Sequence, residues 1–552
     1  MKLRLFLIAL AAIGSVFSLS GFSQSYSIAN ARIVTVSGAT IEKGTVVIRG
    51  GLIEAVGANV KAPADAQVFD GTGLTVYPGF IDALTNLGLQ GPARAAMPTG
   101  PGGVPATAPV AAPPSNSTYP AGLRPEDVTL DDVRAGDAQF EANRNAGFTT
   151  ALTVGRTGIF NGQSALISLS GDSVAAMTLK SPVALHISFS TIANAYPGSL
   201  LGTFSALRQM FNDARRHDQL LKMYAAKPVG MKRPTADKSL EALIPALNRQ
   251  MPVVFTANRE NEIVRALDLA KEYNLRTIIA GGQEAGKFAG RLKLQDVAVL
   301  LSLNFPKRTA AASPDADPET MDTLRFRAET PKTAAKLAAA GVKFAFQGGG
   351  STSVGDFITN AVKTTENGLS KEAAVRGMTL SAAEIFGVGD RLGSIEPGKI
   401  ANLTVVKGDL FGAQKTITHV FIDGQPFEPK PLARPDGPGG RAAGPAGAAS
   451  TALPEVGGTY SITIQAPGQA LTGTLSLTQQ GAILTGTMVT DLGTTTIKDG
   501  RVAADGLSFG GNVEFGGQSV DFTVRATVTG NQLSGTVDTP QGAIPITGTK
   551  NP

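Results

Sequence analysis

After its first 24 residues, the chain has short apolar runs at a spacing of two, separated by tight turns. Between Tyr26 and Val76 these runs are interrupted by Gly50-Gly51 and by Gly71-Thr72-Gly73. Alternation of this kind, with glycine at the reversals, is typical of strands that bury one face. The segment therefore predicts a small β-rich unit.

The middle of the chain has a different pattern, in which short apolar runs alternate with helical segments. Glu260–Tyr273 shows the helical period, because Ile263, Leu267 and Ala270 fall on one face. This alternation predicts an α/β fold with a parallel, TIM-like (β/α)8 barrel. Its predicted strands include Phe148–Val154, Val183–Phe189, Val253–Thr256, Thr277–Ala280, Val297–Leu301 and Lys343–Phe346.

Two stretches rich in proline, glycine and alanine interrupt these patterns. Leu89–Tyr119 carries almost no charge, and we expect a long flexible insertion near the barrel mouth. Pro429–Pro454 is interpreted as a linker. From residue 455 to residue 552, glycine- and threonine-rich alternating strands predict a C-terminal all-β domain, either a small barrel or a sandwich.

Composition adds an expectation about the compartment. Residues 1–24 combine Lys2 and Arg4 with an apolar run, which is typical of a signal peptide; a membrane anchor is the alternative, although the run is short for a span. The absence of cysteine excludes disulfides and thiolate chemistry. We expect a periplasmic or secreted bacterial protein with no integral span after signal removal. The net charge of +5 is dispersed, so nucleic-acid binding is not expected.

Two motifs carry a resemblance to a known family. Tyr77–Gly88 reads YPGFIDALTNLG and is similar to the amidohydrolase signature Pro-Gly-φ-Ile-Asp-x-His-x-His. Arg391–Val406 reads RLGSIEPGKIANLTVV and is similar to that family's GSLEPGKxADLVV motif. The chain thus resembles an imidazolonepropionase-like amidohydrolase over most of residues 26–428. The resemblance implies a barrel over residues 78–390 and a composite β-sandwich made from residues 26–77 and 391–428.

In that family, histidines and an aspartate at strand ends hold one or two metals, which lower the pKa of bound water. The resemblance implies that this ligand motif has degenerated here, and we expect no metal, no cofactor and no catalytic residue of the family type. The corresponding positions hold Leu84 and Asn86 in the first motif, Thr256 in a segment similar to VxVHAxR, Gly281 in one similar to xHGxEAxK, and Gly349 in one similar to xALGTD.

The chain has three histidines, none spaced as a metal-binding pair. His186 is interpreted as a packed strand residue, with an orientation into the barrel mouth as the alternative. His217 is expected on an exposed helix, and His419 in the β-sandwich away from the mouth. A conventional zinc site is therefore not expected.

Oxygen ligands leave one alternative open. Asp82, Glu284, Asn86 and Asn258 together would suit a hard cation. However, Asp82 is expected to brace the barrel, and Glu284 is expected to pair with Lys287.

Neutral hydrogen-bonding side chains remain at the predicted strand ends, where a TIM barrel has its ligand site. The sequence therefore predicts a pocket for a small polar ligand. Its candidate residues are Asn86, Thr256, Asn258, Gln283 and Gln347, with Asn304 beside them.

These observations favour an exported protein of the amidohydrolase family that lacks the family's activity, the hydrolysis of carbon–nitrogen bonds other than peptide bonds. The first hypothesis is a pseudo-enzyme with a binding or assembly role, as a homo-oligomer or with a metal-competent relative. The alternative is an active hydrolase that uses a non-classical, oxygen-ligand or metal-free site. A third hypothesis gives the binding role to the C-terminal β-domain, with glycans or envelope partners as ligands.

Overall fold

The structure is a computed structural model of the 552-residue chain. It describes residues 25–89, 119, 122–136, 138–155, 157–191, 196–308, 319–349, 354–412, 414–430, 455–466, 469–491, 493–503, 506–515, 518–539 and 542–551. The expected signal peptide (1–24), most of the expected insertion (89–119) and most of the expected linker (429–454) lie outside these ranges. The chain forms two compact units, Met1–Arg434 and Pro435–Pro552.

The first unit begins with strands of a mixed sheet. The strand β1 pairs antiparallel with β2 and parallel with β4 and β5. These strands are β1 (Ser25–Ile33), β2 (Ile41–Arg49), β3 (Leu52–Gly57), β4 (Gln67–Asp70) and β5 (Leu74–Pro78).

An α/β region follows, in which apolar strands alternate with amphipathic helices. The predicted helix over Glu260–Tyr273 is confirmed, with Ile263, Leu267 and Ala270 buried. In chain order the elements are β6 (Phe80–Thr85), α1 (Ala138–Asn145), β7 (Phe148–Thr153), β8 (Phe160–Gln163), β9 (Ala165–Ser168), α2 (Val174–Met177), β10 (Thr178–Lys180), β11 (Leu185–Ser188), α3 (Leu200–Ala226), α4 (Lys238–Leu247), β12 (Val253–Ala257), α5 (Glu260–Tyr273), β13 (Thr277–Gly281), α6 (Ala289–Leu294), β14 (Ala298–Ser302), α7 (Met321–Glu329), α8 (Thr333–Ala339), β15 (Phe344–Gln347), α9 (Val354–Glu366), α10 (Lys371–Met378) and α11 (Leu380–Ile385).

Most strand pairs of the two sheets in the α/β region are parallel, as the sequence predicted. The strands β11 to β15 pair in parallel in chain order, and β6 pairs in parallel with β7. The strands β8 and β9 instead run antiparallel to β11 and β7. The expectation of a wholly parallel sheet is therefore wrong at residues 160–168. Only residues 154–164 separate β7 from its partner β9, fewer than the dozen or more that a parallel crossover needs.

The two sheets of the α/β region adjoin at both edges. Ser164 alone separates β8 from β9, so one bent segment belongs to both sheets. At the other edge β6 meets β15, where the Gly348 N–H donates to Asp82 Oδ1 at 2.9 Å. The same oxygen accepts from Leu84 N–H at 3.2 Å, and Gly349 N–H donates to the Leu84 carbonyl at 2.9 Å. Asp82 thus braces the junction, as the sequence suggested.

The first unit ends by returning to its first sheet. The strand β16 pairs antiparallel with β5, so one sheet combines both ends of the unit, in the order β18-β17-β16-β5-β1-β2-β3 with β4 on β1. The expected sandwich is therefore hydrogen-bonded as one sheet, and Phe69 packs against Phe421 with 5.4 Å between ring centroids. The added strands are β16 (Leu403–Gly408), β17 (Lys415–Ile422) and β18 (Gln425–Phe427).

The motif GSIEPGK has a structural role beside this sheet. The Lys399 side chain is buried, and its Nζ donates to the Gly389 carbonyl at 2.7 Å. Nearby, Ser168 Oγ on β9 donates to Asp423 Oδ2 at 2.9 Å and so ties the α/β region to the β-sheet. The two motifs themselves meet where Leu403 pairs with Pro78 and where Gly79 N–H donates to the Asn402 carbonyl at 2.7 Å.

The second unit is a closed eight-stranded antiparallel β-barrel with one further short strand, which resolves the barrel-or-sandwich alternative. The pairing of β20 with β21 closes the ring, and Tyr460, Phe509 and Val524 are buried inside it. Its strands are β19 (Gly458–Ala466), β20 (Gln469–Gln480), β21 (Ile483–Thr490), the short β22 (Gly493–Thr496), β23 (Lys498–Ala503), β24 (Gly506–Phe515), β25 (Gln518–Thr529), β26 (Gln532–Thr539) and β27 (Gly542–Lys550).

Membrane crossing by a helix is not supported in the part of the chain that the structure describes. None of the helices there combines the necessary length with the necessary apolar character.

We expect the stability of the first unit to depend on pH through Asp82. Burial raises the pKa of Asp82 from 3.8 to about 7. The folded state therefore binds this proton more tightly than the unfolded state. The associated stability is fully present below pH 3.8 and is lost as pH rises through about 7. The loss approaches about 4 kcal/mol.

Chemical denaturation between pH 4 and pH 8 measures this dependence. Asp82→Asn removes the titrating group, keeps a hydrogen-bond acceptor and should flatten the profile. Asp322→Asn is the control, because the Asp322 side chain is 94% exposed. Equal slopes for wild type and Asp82→Asn would contradict the assignment.

We also expect residues 455–552 to fold alone, because their apolar core is internal to the barrel.

Within this fragment, Gly535→Ala should lower the melting temperature, since a Cβ at this position would overlap the Arg525 carbonyl of the neighbouring strand. Gly510→Ala is the matched control, because its Cβ would meet the Lys498 carbonyl at an ordinary 3.6 Å. Circular dichroism of the three fragments checks both statements; an unfolded wild-type fragment would contradict the first.

Candidate functional site

A cavity of about 370 Å³ lies where the parallel strands of the α/β region end. We call it the strand-end cavity. Residues at or just beyond the carboxyl ends of β6, β7 and β11 to β15 line it, as the topology of a parallel sheet requires. The lining residues are Leu84, Thr85, Val154, Gly155, Asn161, His186, Ser188, Thr256, Asn258, Gly281, Gln283, Ser302, Asn304, Gln347 and Gly349.

The cavity brings together most residues that the sequence singled out. Four of the five positions aligned with family metal ligands line it, and so do four of the proposed pocket residues and Asn304. Asn86 is the exception: it lies just beyond β6, half-buried, and is absent from the lining. The sequence placed Asn86 in the pocket by alignment alone, which could not show where the chain turns after the strand.

Several polar groups of the cavity are held by backbone atoms. Gln283 Nε2 donates to the Asn304 carbonyl at 2.7 Å, and Ser302 Oγ accepts from Asn304 N–H at 3.1 Å. On the opposite side, Ser188 Oγ donates to the Gly158 carbonyl at 2.7 Å. These bonds fix parts of the wall before any ligand arrives, which is typical of a pre-formed binding site.

Gln347 differs from these residues because one of its polar atoms has no partner. The residue ends β15 and is only 4% exposed. Its Nε2 faces the Leu300 carbonyl at 3.4 Å, whereas its Oε1 is buried and accepts no hydrogen bond. A buried carbonyl oxygen without a donor costs about 1–3 kcal/mol. Most buried polar atoms in native proteins have a hydrogen-bond partner, so Gln347 Oε1 is an exception to the usual pattern.

His186 is a site residue that sequence reasoning underrated. It is packed within β11, as interpreted, but it also lines the cavity. Its Nε2 lies 2.9 Å from Ser164 Oγ, and burial lowers the pKa of the ring to about 3. His186 is therefore neutral near pH 7. The alternation of inward and outward positions along a strand was the available signal.

His217 requires a correction. It lies on α3, as expected, but it is buried rather than exposed, and its Nε2 lies 3.3 Å from Glu241 Oε1 on α4. The neighbouring helix covers the face that the sequence suggested was solvated. His419 lies on β17 against the Phe69 ring, outside the cavity, as expected.

The described residues do not form a group of side chains suited to bind a metal ion. Among the described residues, no three histidine, cysteine or acidic side chains are grouped closely enough to hold a metal ion. Asp82 is occupied by backbone N–H groups, and Glu284 accepts from Lys287 Nζ at 2.9 Å and from Glu260 N–H at 2.8 Å. Of the four oxygen candidates, Asn258 alone lines the strand-end cavity. The remaining side chains therefore do not fit the metal that the family resemblance implies.

The space beside Gly281 is occupied by a neighbouring side chain. This residue ends β13 with a φ of 94°, a conformation that favours glycine. A Cβ built at Gly281 would overlap the carboxamide of Asn258. Gly349 also has a positive φ, of 63°. Histidine or aspartate at these positions would be strained, and at position 281 it would also collide with Asn258.

A larger cavity, of about 860 Å³, lies between helices rather than at the strand ends. Arg259, Lys287 and Lys336 line it together with Glu284 and Glu329. Most of these charges are paired with one another, for example Lys336 Nζ with Glu329 Oε2 at 2.8 Å. We assign functional weight to the smaller cavity, because its strand-end position and its neutral lining suit a ligand better than a solvated ion-pair network.

Two comparisons with known proteins found a similarity to amidohydrolases. The profile described as "Amidohydrolase family" matches residues 321–427. An amidohydrolase from Thermotoga maritima MSB8 is similar in structure, with 25% sequence identity, coverage of 73% of this chain and 100% of that chain, and a TM-score of 0.60. No curated protein matches the chain in sequence.

Two further solved structures extend the same comparison. An amidohydrolase shares 16% identity, covering 74% of this chain and 100% of its own, with a TM-score of 0.45. A prolidase complexed with N-methylphosphonate-L-proline shares 17% identity, covering 73% and 100%, with a TM-score of 0.43.

We predict that Gly281→His destabilises the first unit by at least about 2 kcal/mol, because it combines a strained φ with an overlap. Asn258→Ala in the same chain should recover about 1 kcal/mol or more of this loss, because it frees the space for the imidazole. Urea unfolding of both single variants and the double variant measures the coupling. Strictly additive effects would show that the two positions do not compete for space.

Proposed function

We propose that the chain is a pseudo-enzyme of the amidohydrolase family, which binds a small polar molecule in the strand-end cavity without a metal; the profile match over residues 321–427 and the similarity to the Thermotoga maritima amidohydrolase support the family. The family's reaction depends on a hydroxide that a metal generates near neutral pH. In this proposal the (β/α)8 barrel keeps the place of the site and replaces the ligand set with neutral hydrogen-bonding groups.

The observation that carries this proposal is the identity of the lining residues. Leu84, Thr256, Gly281 and Gly349 stand where the family resemblance puts metal ligands, and all four face the same cavity. The one imidazole of the described lining, His186, is neutral and bonded to Ser164. A single imidazole is too few for a catalytic zinc site, which commonly uses three protein ligands.

The repacking around Gly281 supports loss of metal binding rather than an altered metal preference. A site emptied only of its ligands would leave room for an imidazole at position 281. Instead, the Asn258 carboxamide occupies that room. Amide groups bind transition metals poorly but pair readily with uncharged polar molecules.

The proposal also includes the cellular compartment of the protein and its partners. We place it in the periplasm or outside the cell, because residues 1–24 have the composition of a signal peptide. An assembly role, in a homo-oligomer or with a metal-competent relative, would let the cavity present its ligand to a partner. The C-terminal barrel would serve as a separate attachment module, since it is a compact unit of its own.

Elemental analysis of the full-length protein, purified without an affinity tag, tests the proposal. We expect zinc, iron, manganese and nickel each well below one atom per chain, and no change in melting temperature after treatment with a chelator. Thr256→His provides a comparison that adds one ligand to the cavity and should not by itself bring stoichiometric metal. One tightly bound transition metal per wild-type chain would overturn the metal-free interpretation.

A further inference from the structure

The last part of α3 and the loop after it contain no buried residue. His217 is the last residue of α3 that is buried, and residues 218–238, all of which the structure describes, are exposed or only partly buried. The nine helical residues after His217 extend about 14 Å, and a loop follows before α4 begins at Lys238. We call residues 218–236 the α3 projection.

A tight turn in this loop exposes an apolar side chain. Met231 N–H donates to the Pro228 carbonyl at 3.1 Å, and Gly230 between them has a φ of 80°. A Cβ at Gly230 would meet no atom within 4 Å, so the turn stands clear of its surroundings. Val229 in this turn is 82% exposed, and Met223 near the end of α3 is 57% exposed. These side chains are therefore accessible to an external apolar phase.

The α3 projection is basic as well as apolar. Residues 219–236 contain no aspartate or glutamate, and their basic residues, all exposed, are Lys222, Lys227, Lys232 and Arg233. Lys222 pairs with Asp218 one turn earlier on α3. Within the described ranges the other three form no ion pair. The projection therefore presents uncompensated positive charge beside an exposed apolar turn.

The carboxylates that follow the α3 projection in the chain have other contacts. Asp237 accepts from Ser239 N–H and Leu240 N–H, both at 3.1 Å, as the N-cap of α4. Glu241 accepts from Asp237 N–H at 3.2 Å, and its Oε1 lies 3.3 Å from His217 Nε2. Neither carboxylate therefore neutralises the projection through an ion pair with its lysines or arginine.

We propose that the α3 projection binds the surface of a phospholipid bilayer with anionic headgroups, and that Val229 enters the layer below those headgroups. Exposed apolar side chains beside several lysine and arginine residues are typical of elements that lie at a membrane surface. This role is additional to that of the strand-end cavity, whose described lining includes no residue of the projection.

Shape and charge favour a bilayer over a protein partner. The turn around Val229 is convex, so a protein partner would need a pocket of matching shape, whereas lipid molecules rearrange around an inserted side chain. A second copy of this chain would bring the same positive charges to a symmetric contact, where they would repel each other. Anionic headgroups supply the opposite charge without either requirement.

Vesicle binding by the full-length protein tests the charge contact. Vesicles of phosphatidylcholine mixed with phosphatidylglycerol should bind more tightly than vesicles of phosphatidylcholine alone, and added salt should reduce the difference. Lys232→Gln combined with Arg233→Gln should weaken binding to the anionic vesicles about thirtyfold at low ionic strength, since each basic residue near such a surface contributes about fivefold.

Lys43→Gln combined with Lys61→Gln is the matched control. It removes the same charge at two exposed positions of the β-sheet region and should change the affinity far less. Residues 1–24 are common to all variants, so differences between variants report the substitutions alone.

Insertion of Val229 has its own tests. Val229→Ser should weaken binding to the anionic vesicles about fivefold, whereas Val68→Ser, at a valine on β4 that is 53% exposed, should not. Because the chain has no cysteine, Val229→Cys accepts a single polarity-sensitive fluorophore. Its emission should shift to the blue when anionic vesicles are added, and that of labelled Val68→Cys should not.

Several outcomes would overturn this inference. These are equal affinity for the two kinds of vesicle, unchanged affinity after the Lys232 and Arg233 substitutions, or an unshifted label at position 229 on vesicles that bind the protein. Binding to immobilised polyglutamate but not to vesicles would assign the surface to acidic proteins and overturn the bilayer contact. None of these results concerns the metal content, by which the proposed function is judged separately.

Discussion

The buried carboxyl of Asp82 is the constraint on which the α/β unit depends. It accepts hydrogen bonds from backbone groups at the ends of both β6 and β15, strands that belong to different sheets. Gly348 permits this approach, since a Cβ there would lie 2.8 Å from Asp82 Oδ2. The junction fixes the positions of Leu84 and Gln347 on either side. Asp82 thus joins two strands that line the strand-end cavity, although it is not itself among the lining residues.

The parts of the fold that the sequence predicted are those decided by local periodicity. The helix over Glu260–Tyr273 and the strands from β11 to β15 follow from apolar spacing, which reflects burial directly. The direction of residues 160–168 does not follow, because apolar runs look alike in parallel and antiparallel strands. The burial of His217 was missed for a related reason: a helical period does not show which other helix packs against it.

The candidate site was predictable in composition but not in detail. Alignment with the family placed Thr256, Gly281 and Gly349 at strand ends, and topology brought them together. The sequence could not show that Gln347 keeps an unpaired oxygen, because that depends on the orientation of one amide. It also left both orientations of His186 open, and the structure shows that a packed side chain can still form part of a cavity wall.

The contact between Gly281 and Asn258 makes the order of substitutions matter. A histidine introduced first at position 281 meets the Asn258 carboxamide, whereas a smaller residue introduced first at position 258 merely opens a gap. A histidine at position 281 is therefore less obstructed after a change at position 258 than before it, although the strain of its positive φ remains. The two neighbouring residues thus restrict each other, so the side chains that position 281 accommodates depend on the residue at position 258.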